Sequence, residues 1–551
     1  MKKRWIWRGL SMISVSTLLY GCGAPSGGAE KTADAARNIA QETTAAGNGS
    51  LNSREGRAVN TQQNDEGGYR YGNEVSGEAP AAFYTEEEFN TEEYRYISEN
   101  GYKSVMDEPL STFSVDVDTA SYGNIRRMLK NHEEIPVDAV RIEEMINYFS
   151  YDYPEPEGNV PFSVTTEYAD CPWNEDSRLL MIGLQAKKID FASRPASNLV
   201  FLLDVSGSMY GADRLPLVQK SFLMLTENLT ENDRVSIVTY AGYESVILDG
   251  VSGSQKAKIA AALEDLEAGG STAGAAGIQK AYELAEKNFI SGGNNRIILA
   301  TDGDLNVGIS SESELTHLVQ EKKKSGVHLS VLGVGSGNIK DNKMEALADN
   351  GDGNYNYLDS LYEAKKVLVD EMGGTLITVA KDVKIQVEFN PEYVSSYRLV
   401  GYENRLLNQE DFHDDKVDAG EIGSGHSVTA LYEIVPAKGN ETQTSLKYQT
   451  SGTPKGSSEL LTVSLRYKAP NGETSKLLEY PVEADHYQEE LSENLSFAAA
   501  VAEFGMILRD SEYKGSSTYD SVMELAEPCV RQSSDDYRKE FLTLVETAKL
   551  Q

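Results

Sequence analysis

A chain of 551 residues is too long for one compact core, so two or three folded bodies are expected. Hydrophobic residues at 40% and charged residues at 25% supply the apolar material of an ordinary globular protein. The 51 basic against 86 acidic side chains give a formal net charge of −35, a surface that repels nucleic acid and anionic lipid headgroups and can hold divalent cations.

Lys2, Lys3, Arg4 and Arg8 form a positive n-region ahead of a short, mostly apolar stretch from Gly9 to Tyr20. That stretch is too short to span a bilayer and suits a secretory signal. It ends in Leu19-Tyr20-Gly21-Cys22, which resembles a bacterial lipobox. The resemblance makes residues 1–22 a lipoprotein signal and implies acylation of Cys22, placing the chain lipid-anchored on the extracytoplasmic face of the cell membrane. Without lipidation the segment reads as an uncleaved anchor or a plain secretory signal. No later segment is long and apolar enough to cross a membrane. For Cys171 and Cys529, pairing outside the cytoplasm and two buried free thiols are equal alternatives.

Residues 23–100 read as a disordered acidic tether. Up to about residue 82, Ile39, Leu51, Val59 and Val75 are the only large aliphatic side chains, too few to offset the entropy of ordering. Residues 83–100, with Glu86-Glu87-Glu88 and Glu92-Glu93, read as a short acidic helix leading into the fold. An N-terminal module follows over 101–195. Its segment Thr112 to Asp118 alternates apolar and polar residues like a half-buried strand, which puts Asp116 and Asp118 on the polar face. Residues 119–131 and 140–149 read as helical, 161–168 and 178–188 as strands.

Over 196–376 short apolar runs alternate with helical patterns. Leu199 to Leu203, Val235 to Tyr240, Ile297 to Ala300 and Val327 to Val334 suit parallel strands covered on both faces. Leu215, Val218, Phe222, Leu225 and Leu229 make one apolar helical stripe, and helices also fit 254–266, 273–288, 311–325 and 359–372. The fold class expected is α/β, a doubly wound, mostly parallel sheet set between β-rich flanks. Residues 377–551 return to strands at 383–389, 395–402, 426–435, 459–467 and 476–482, then end in helices from Leu491. Because each flank alone would leave apolar strand faces bare, the two are expected to form one body carrying the α/β domain as an insertion.

The strongest chemistry lies in Asp204-Val205-Ser206-Gly207-Ser208-Met209, at the carboxyl end of the first α/β strand. In an extended loop, positions i, i+2 and i+4 face one side, so Asp204, Ser206 and Ser208 present a carboxylate and two hydroxyls to one point. Thr272, after Gly269-Gly270-Ser271, and Asp302, in Thr301-Asp302-Gly303, come from comparable loops. Five oxygen donors with no His or Cys among them point to Mg²⁺, with Mn²⁺ or Ca²⁺ as substitutes.

These residues resemble the metal-ion-dependent adhesion site (MIDAS) of the von Willebrand factor type A (VWA) family, whose pattern is Asp-x-Ser-x-Ser, a Thr from a second loop and an Asp from a third. The resemblance implies an ion with one position left open for an acidic side chain of a protein partner. Ser111 to Leu129, Val140 to Pro154, Thr301 to Gly308 and Phe497 to Gly505 are similar to a bacterial VWA lipoprotein family with an N-terminal module and a C-terminal domain. An enzyme is not expected. The six histidines, at 132, 317, 328, 413, 426 and 486, show no His-Glu-x-x-His spacing, and neither a Gly-x-Ser-x-Gly elbow nor a phosphate-binding loop is present. The competing reading is a structural envelope protein whose metal only braces loops. Asp349 to Asp359 reads as a turn rather than a calcium loop.

Overall fold

Six strands build the central sheet, in the spatial order Tyr355–Leu358, His328–Val334, Asn294–Thr301, Ser197–Asp204, Arg234–Tyr240, Glu244–Ser252. The first five run parallel and Glu244–Ser252 closes one edge antiparallel. The parallel strands are buried along almost their whole length because helices cover both faces. Leu215–Glu227 and Lys256–Glu264 pack on one side, Gly274–Lys287, Glu312–Lys323 and Asp341–Asn350 on the other. The computed structural model describes residues 90–551 apart from 191–193, 271–273, 304–311, 439–456, 471 and 532–533. All described residues belong to one compact unit, Glu74–Gln551.

Three elements of this domain show no clear pattern in the sequence: edge strands Glu244–Ser252 and Tyr355–Leu358 and helix Asp341–Asn350. Edge strand Glu244–Ser252 has Val246 and Ile247 side by side and both outward, so it shows no alternation. The stretch Asp349 to Asp359, expected as a turn, instead holds the end of helix Asp341–Asn350 and the whole of strand Tyr355–Leu358, with the turn confined between them. The helix expected over 359–372 is segmented, with an α turn at Leu361–Lys365, a π turn at Lys366–Asp370 and a further α turn at Met372–Leu376.

Outside this domain the two flanks are interleaved. One sheet takes Lys103–Ser104, Phe162–Asp170 and Arg178–Ala186 from before it and Val394–Val400, Ser427–Pro436 and Tyr487–Gln488 from after it. In the second, Leu110–Ser114 pairs with Thr378–Phe389, which also pairs with Glu459–Lys468. Side chains of both sheets, among them Phe113, Leu180, Ile182, Ile385, Tyr432 and Val463, share one core. A second core joins helices Ala120–Asn131 and Ile142–Asn147 to Glu493–Arg509, Tyr519–Arg531 and Asp536–Leu550. Cys171 and Cys529 are both free and buried in it.

Buried arginines fasten the α/β domain to this body. Helix Asp341–Asn350 turns Asp341, Glu345 and Asp349 inward at four-residue spacing. Arg141 reaches Asp341 at 3.2 Å and Glu345 at 2.5 Å, and Arg405 reaches Asp349 at 2.7 Å. Arg126 grips Asp359 at 2.5 Å and Glu363 at 2.7 Å. Asp116 and Asp118 do not lie on the polar face of a strand, because the strand ends at Ser114 and both are buried against Arg405, each at 3.0 Å. The tether does not run to residue 100, nor is its end helical: residues 90–100 are extended and docked. Thr91 N–H donates to the Gly337 carbonyl at 2.7 Å and Glu93 N–H to that of Ile339 at 2.9 Å. Residues 1–89, Cys22 among them, lie outside the described residues.

Candidate metal centre

The connections leaving Ser197–Asp204 and Asn294–Thr301, neighbours in the sheet, pass to opposite faces and open a crevice beyond their carboxyl ends. Asp204 ends the first strand and Asp302 follows the second, so both border this crevice. Asp204 is fully buried. Its Oδ1 accepts the Ser206 N–H at 2.9 Å, and its Oδ2 accepts the hydroxyls of Thr301 at 2.9 Å and Tyr240 at 3.2 Å. The Ser206 and Ser208 hydroxyls lie 3.0 Å apart; the backbone is extended at Ser206 but turns into a 3-10 helix over Gly207–Met209, so the extended loop expected from the sequence does not carry through to Ser208.

Further bonds hold the loops together. Gly207 N–H donates to the Gly270 carbonyl at 3.0 Å, joining the first loop to the second. Buried Asp302 accepts the Asn338 amide at 2.9 Å. Gly303 has φ +101°, and a Cβ there would stand 2.6 Å from the Lys340 nitrogen, so the third loop needs glycine at that point. Thr272 lies outside the described residues, as do Asp304 and Asn306.

Burial pushes the Asp204 carboxyl up to about 6, and the nearby Asp302 carboxylate adds to that rise against hydrogen bonds from Ser206 and Thr301. A divalent cation is the species that relieves such a pair. Among the described residues no group of three or more His, Cys, Asp or Glu is placed to hold a metal. The donor set here instead mixes two hydroxyls with two carboxylates, which fits a hard ion.

Five supporting residues carry no signal that singled them out in the sequence. Thr301 and Tyr240 orient Asp204, and Asn338 orients Asp302. Arg214 ties the first loop to the 335–340 loop, donating to the Ser208 carbonyl at 2.9 Å and the Ser336 carbonyl at 2.7 Å. The docked N-terminal segment braces that same loop, where Glu92 accepts the Gly337 N–H at 2.8 Å and pairs with Arg127 at 3.0 Å. Thr301 and Tyr240 close the apolar strands that were recognised, so position alone could have flagged them. Asn338 and Glu92 act across more than 30 residues, as does Arg214 toward Ser336, and such contacts leave no local signal.

Strand order, switch point and donor loops together define a von Willebrand factor type A domain, a module of protein–protein interaction. The family described as "von Willebrand factor type A domain" matches residues 198–371, "von Willebrand factor" matches 88–181, and "Uncharacterized protein YfbK, C-terminal" matches 374–550. The chain belongs to the bacterial VWA-domain family of YfbK: it is 44% identical over 468 residues to the uncharacterized protein YfbK of Escherichia coli (strain K12), covering 83% of this chain and 81% of that protein. It is also 32% identical over 190 residues to the uncharacterized protein sll0103 of Synechocystis sp., covering 34% of this chain and 43% of that one. Among solved structures, a von Willebrand factor type A protein from Catenulispora acidiphila is 14% identical, covering 72% of this chain and 91% of its own, with TM-score 0.42. The ArnB paralog VWA2 from Sulfolobus acidocaldarius is likewise 14% identical, covering 71% and 98%, with TM-score 0.35.

Proposed function

We propose that this chain is a cell-envelope lipoprotein that binds a protein partner through Mg²⁺ held by Asp204, Ser206, Ser208, Thr272 and Asp302. The supporting observation is the convergence of two hydroxyls on two buried carboxylates at the switch point of the sheet. When bound, the ion supplies an open coordination position for a Glu or Asp of the partner. Mn²⁺ or Ca²⁺ can substitute on the same oxygen donors. Acylation of Cys22 would hold the protein at the extracytoplasmic membrane face.

The chain's own residues prepare the site and perform no covalent chemistry in this reading. Thr301, Tyr240 and the Ser206 N–H fix both oxygens of Asp204. The Ser206 and Ser208 hydroxyls face each other rather than a general base. The loops are already cross-linked through Gly270, Arg214 and Asn338, so an ion is not needed merely to brace them. That favours partner binding over the purely structural reading.

The test is a pull-down from envelope extract using wild-type and Asp204→Ala protein, with Mg²⁺ or with EDTA. Partners are expected only with wild type and Mg²⁺. Capture of the same proteins in EDTA, or by Asp204→Ala, overturns the proposal.

A further inference from the structure

A cavity of about 630 Å³ lies at the seam between the α/β domain and the flanking body. It sits at the amino ends of the parallel strands, the end of the sheet opposite the metal centre. Its most informative residues are Asn354 and Asn356, two apart at the start of strand Tyr355–Leu358 and therefore facing one side. They are only 7% and 6% exposed. Asn356 Oδ1 accepts the Thr119 hydroxyl at 2.9 Å, which leaves its amide N–H groups toward the cavity. The Asn354 carboxamide also lines the cavity and makes no side-chain hydrogen bond among the described residues. Its polar atoms are not sealed off but open to the cavity, where they hydrogen-bond to whatever fills it.

The lining narrows the chemistry of the missing partner. His426 contributes an imidazole that burial holds below its usual range, hence neutral, with one donor and one acceptor. Acidic Asp370 and Glu371 are engaged by Lys365 and Lys366. Lys188 is the only basic side chain among the described lining residues, against Glu155, Asp190, Asp370 and Glu371, so an anion is disfavoured. Phe149 and Ile189 add apolar wall. Neutral donors and acceptors beside apolar surface, in a cavity within the size range of small-molecule sites, match a molecule dense in hydroxyl or acetamido groups.

We propose that this cavity binds an uncharged sugar of one or two rings, held by Asn354, Asn356 and His426. The site is separate from the metal centre and does not depend on it. The experiment is a calorimetric and ligand-observed NMR titration of the full chain, made soluble by Cys22→Ser, with glucose, N-acetylglucosamine and the β-1,4 dimer of each. Saturable binding of at least one is expected, weakened tenfold or more by Asn354→Leu and by Asn356→Leu and unchanged by Asp204→Ala. If a leucine variant fails to fold, Asn354→Ala and Asn356→Ala carry the same expectation. Absence of saturable binding by all four sugars at millimolar concentration, or undiminished binding by folded Asn354 and Asn356 variants, overturns the proposal and leaves the cavity to water.

Discussion

Replacing Arg405 by Met asks how the α/β domain is fastened to the rest of the chain. Arg405 holds Asp116 and Asp118 at 3.0 Å each and Asp349 at 2.7 Å. Methionine keeps much of the packing of the arginine stem but removes its charge, leaving three carboxylates facing one another. Removing one partner of a buried ion pair costs about 3–5 kcal/mol. With an unfolding entropy of about 2.1 cal/mol/K per residue, a unit of this size loses roughly 1 K of melting temperature per kcal/mol. A fall of ~3–5 K at pH 8 is therefore expected by calorimetry. Burial, then Asp116, already raises Asp118 well above the ordinary carboxyl range, and burial raises Asp349 to about 6, with Arg405 opposing both. Without Arg405 both rise further. A carboxyl whose folded value exceeds its unfolded one binds its proton more tightly in the folded state, so stability falls as pH rises through that interval and returns as pH is lowered. The deficit of Arg405→Met should therefore shrink between pH 8 and pH 5. Arg405→Lys, which keeps the charge and loses the fork, should fall between the two. A methionine variant that melts with wild type at pH 8, or one with an undiminished deficit at pH 5, refutes this account.

Asp204→Asn should raise the melting temperature in EDTA by up to about 3 K, since a carboxyl held near 6 rather than 3.8 costs roughly 3 kcal/mol at neutral pH. The same variant should show no Mg²⁺ heat in calorimetric titration, and a titration like that of wild type would remove Asp204 from the metal centre. Glu92→Ala should speed hydrogen exchange at the Gly337 amide roughly fivefold, the loss of one hydrogen bond of about 1 kcal/mol; unchanged exchange there would mean the docked segment does not brace the loop. Cys22→Ser should move the protein from the membrane fraction to the soluble one, and a wild-type protein already soluble would refute lipid anchoring.

Legibility in the sequence followed the burial of each element. Leu199 to Leu203 read as a strand because both faces are covered and every residue is apolar, and the 0% exposure of all five matches that logic. Asp204 and Ser206 were legible because both stand on extended backbone at the strand's end, whereas a 3-10 turn over Gly207–Met209 brings Ser208 to the same point. Charges misled where they meet a distant partner. Asp341, Glu345 and Asp349 resemble a solvated helix face, and Asp116 and Asp118 a strand's wet side. Yet all five meet arginines far away in sequence, Arg405 standing 289 residues beyond Asp116. A single sequence does not distinguish a buried charge with a distant partner from an exposed one with none. The edge strand Glu244–Ser252 failed for the opposite reason: with little to cover it, its apolar residues need no period.

The interleaving of the flanks also sets an order of assembly. Met181 lies opposite Leu431 and Phe113 opposite Ile385, whereas every strand of the α/β sheet falls within residues 197–358. A chain made from its amino end can close that sheet early, while hairpin Phe162–Asp170 and Arg178–Ala186 waits for strands still to come. Until Ser427–Pro436 arrives, the hairpin keeps an open edge and an apolar face, the condition that invites wrong pairing. A chain cut after residue 376 would accordingly be a finished α/β domain trailing an unfinished sheet, prone to associate through it.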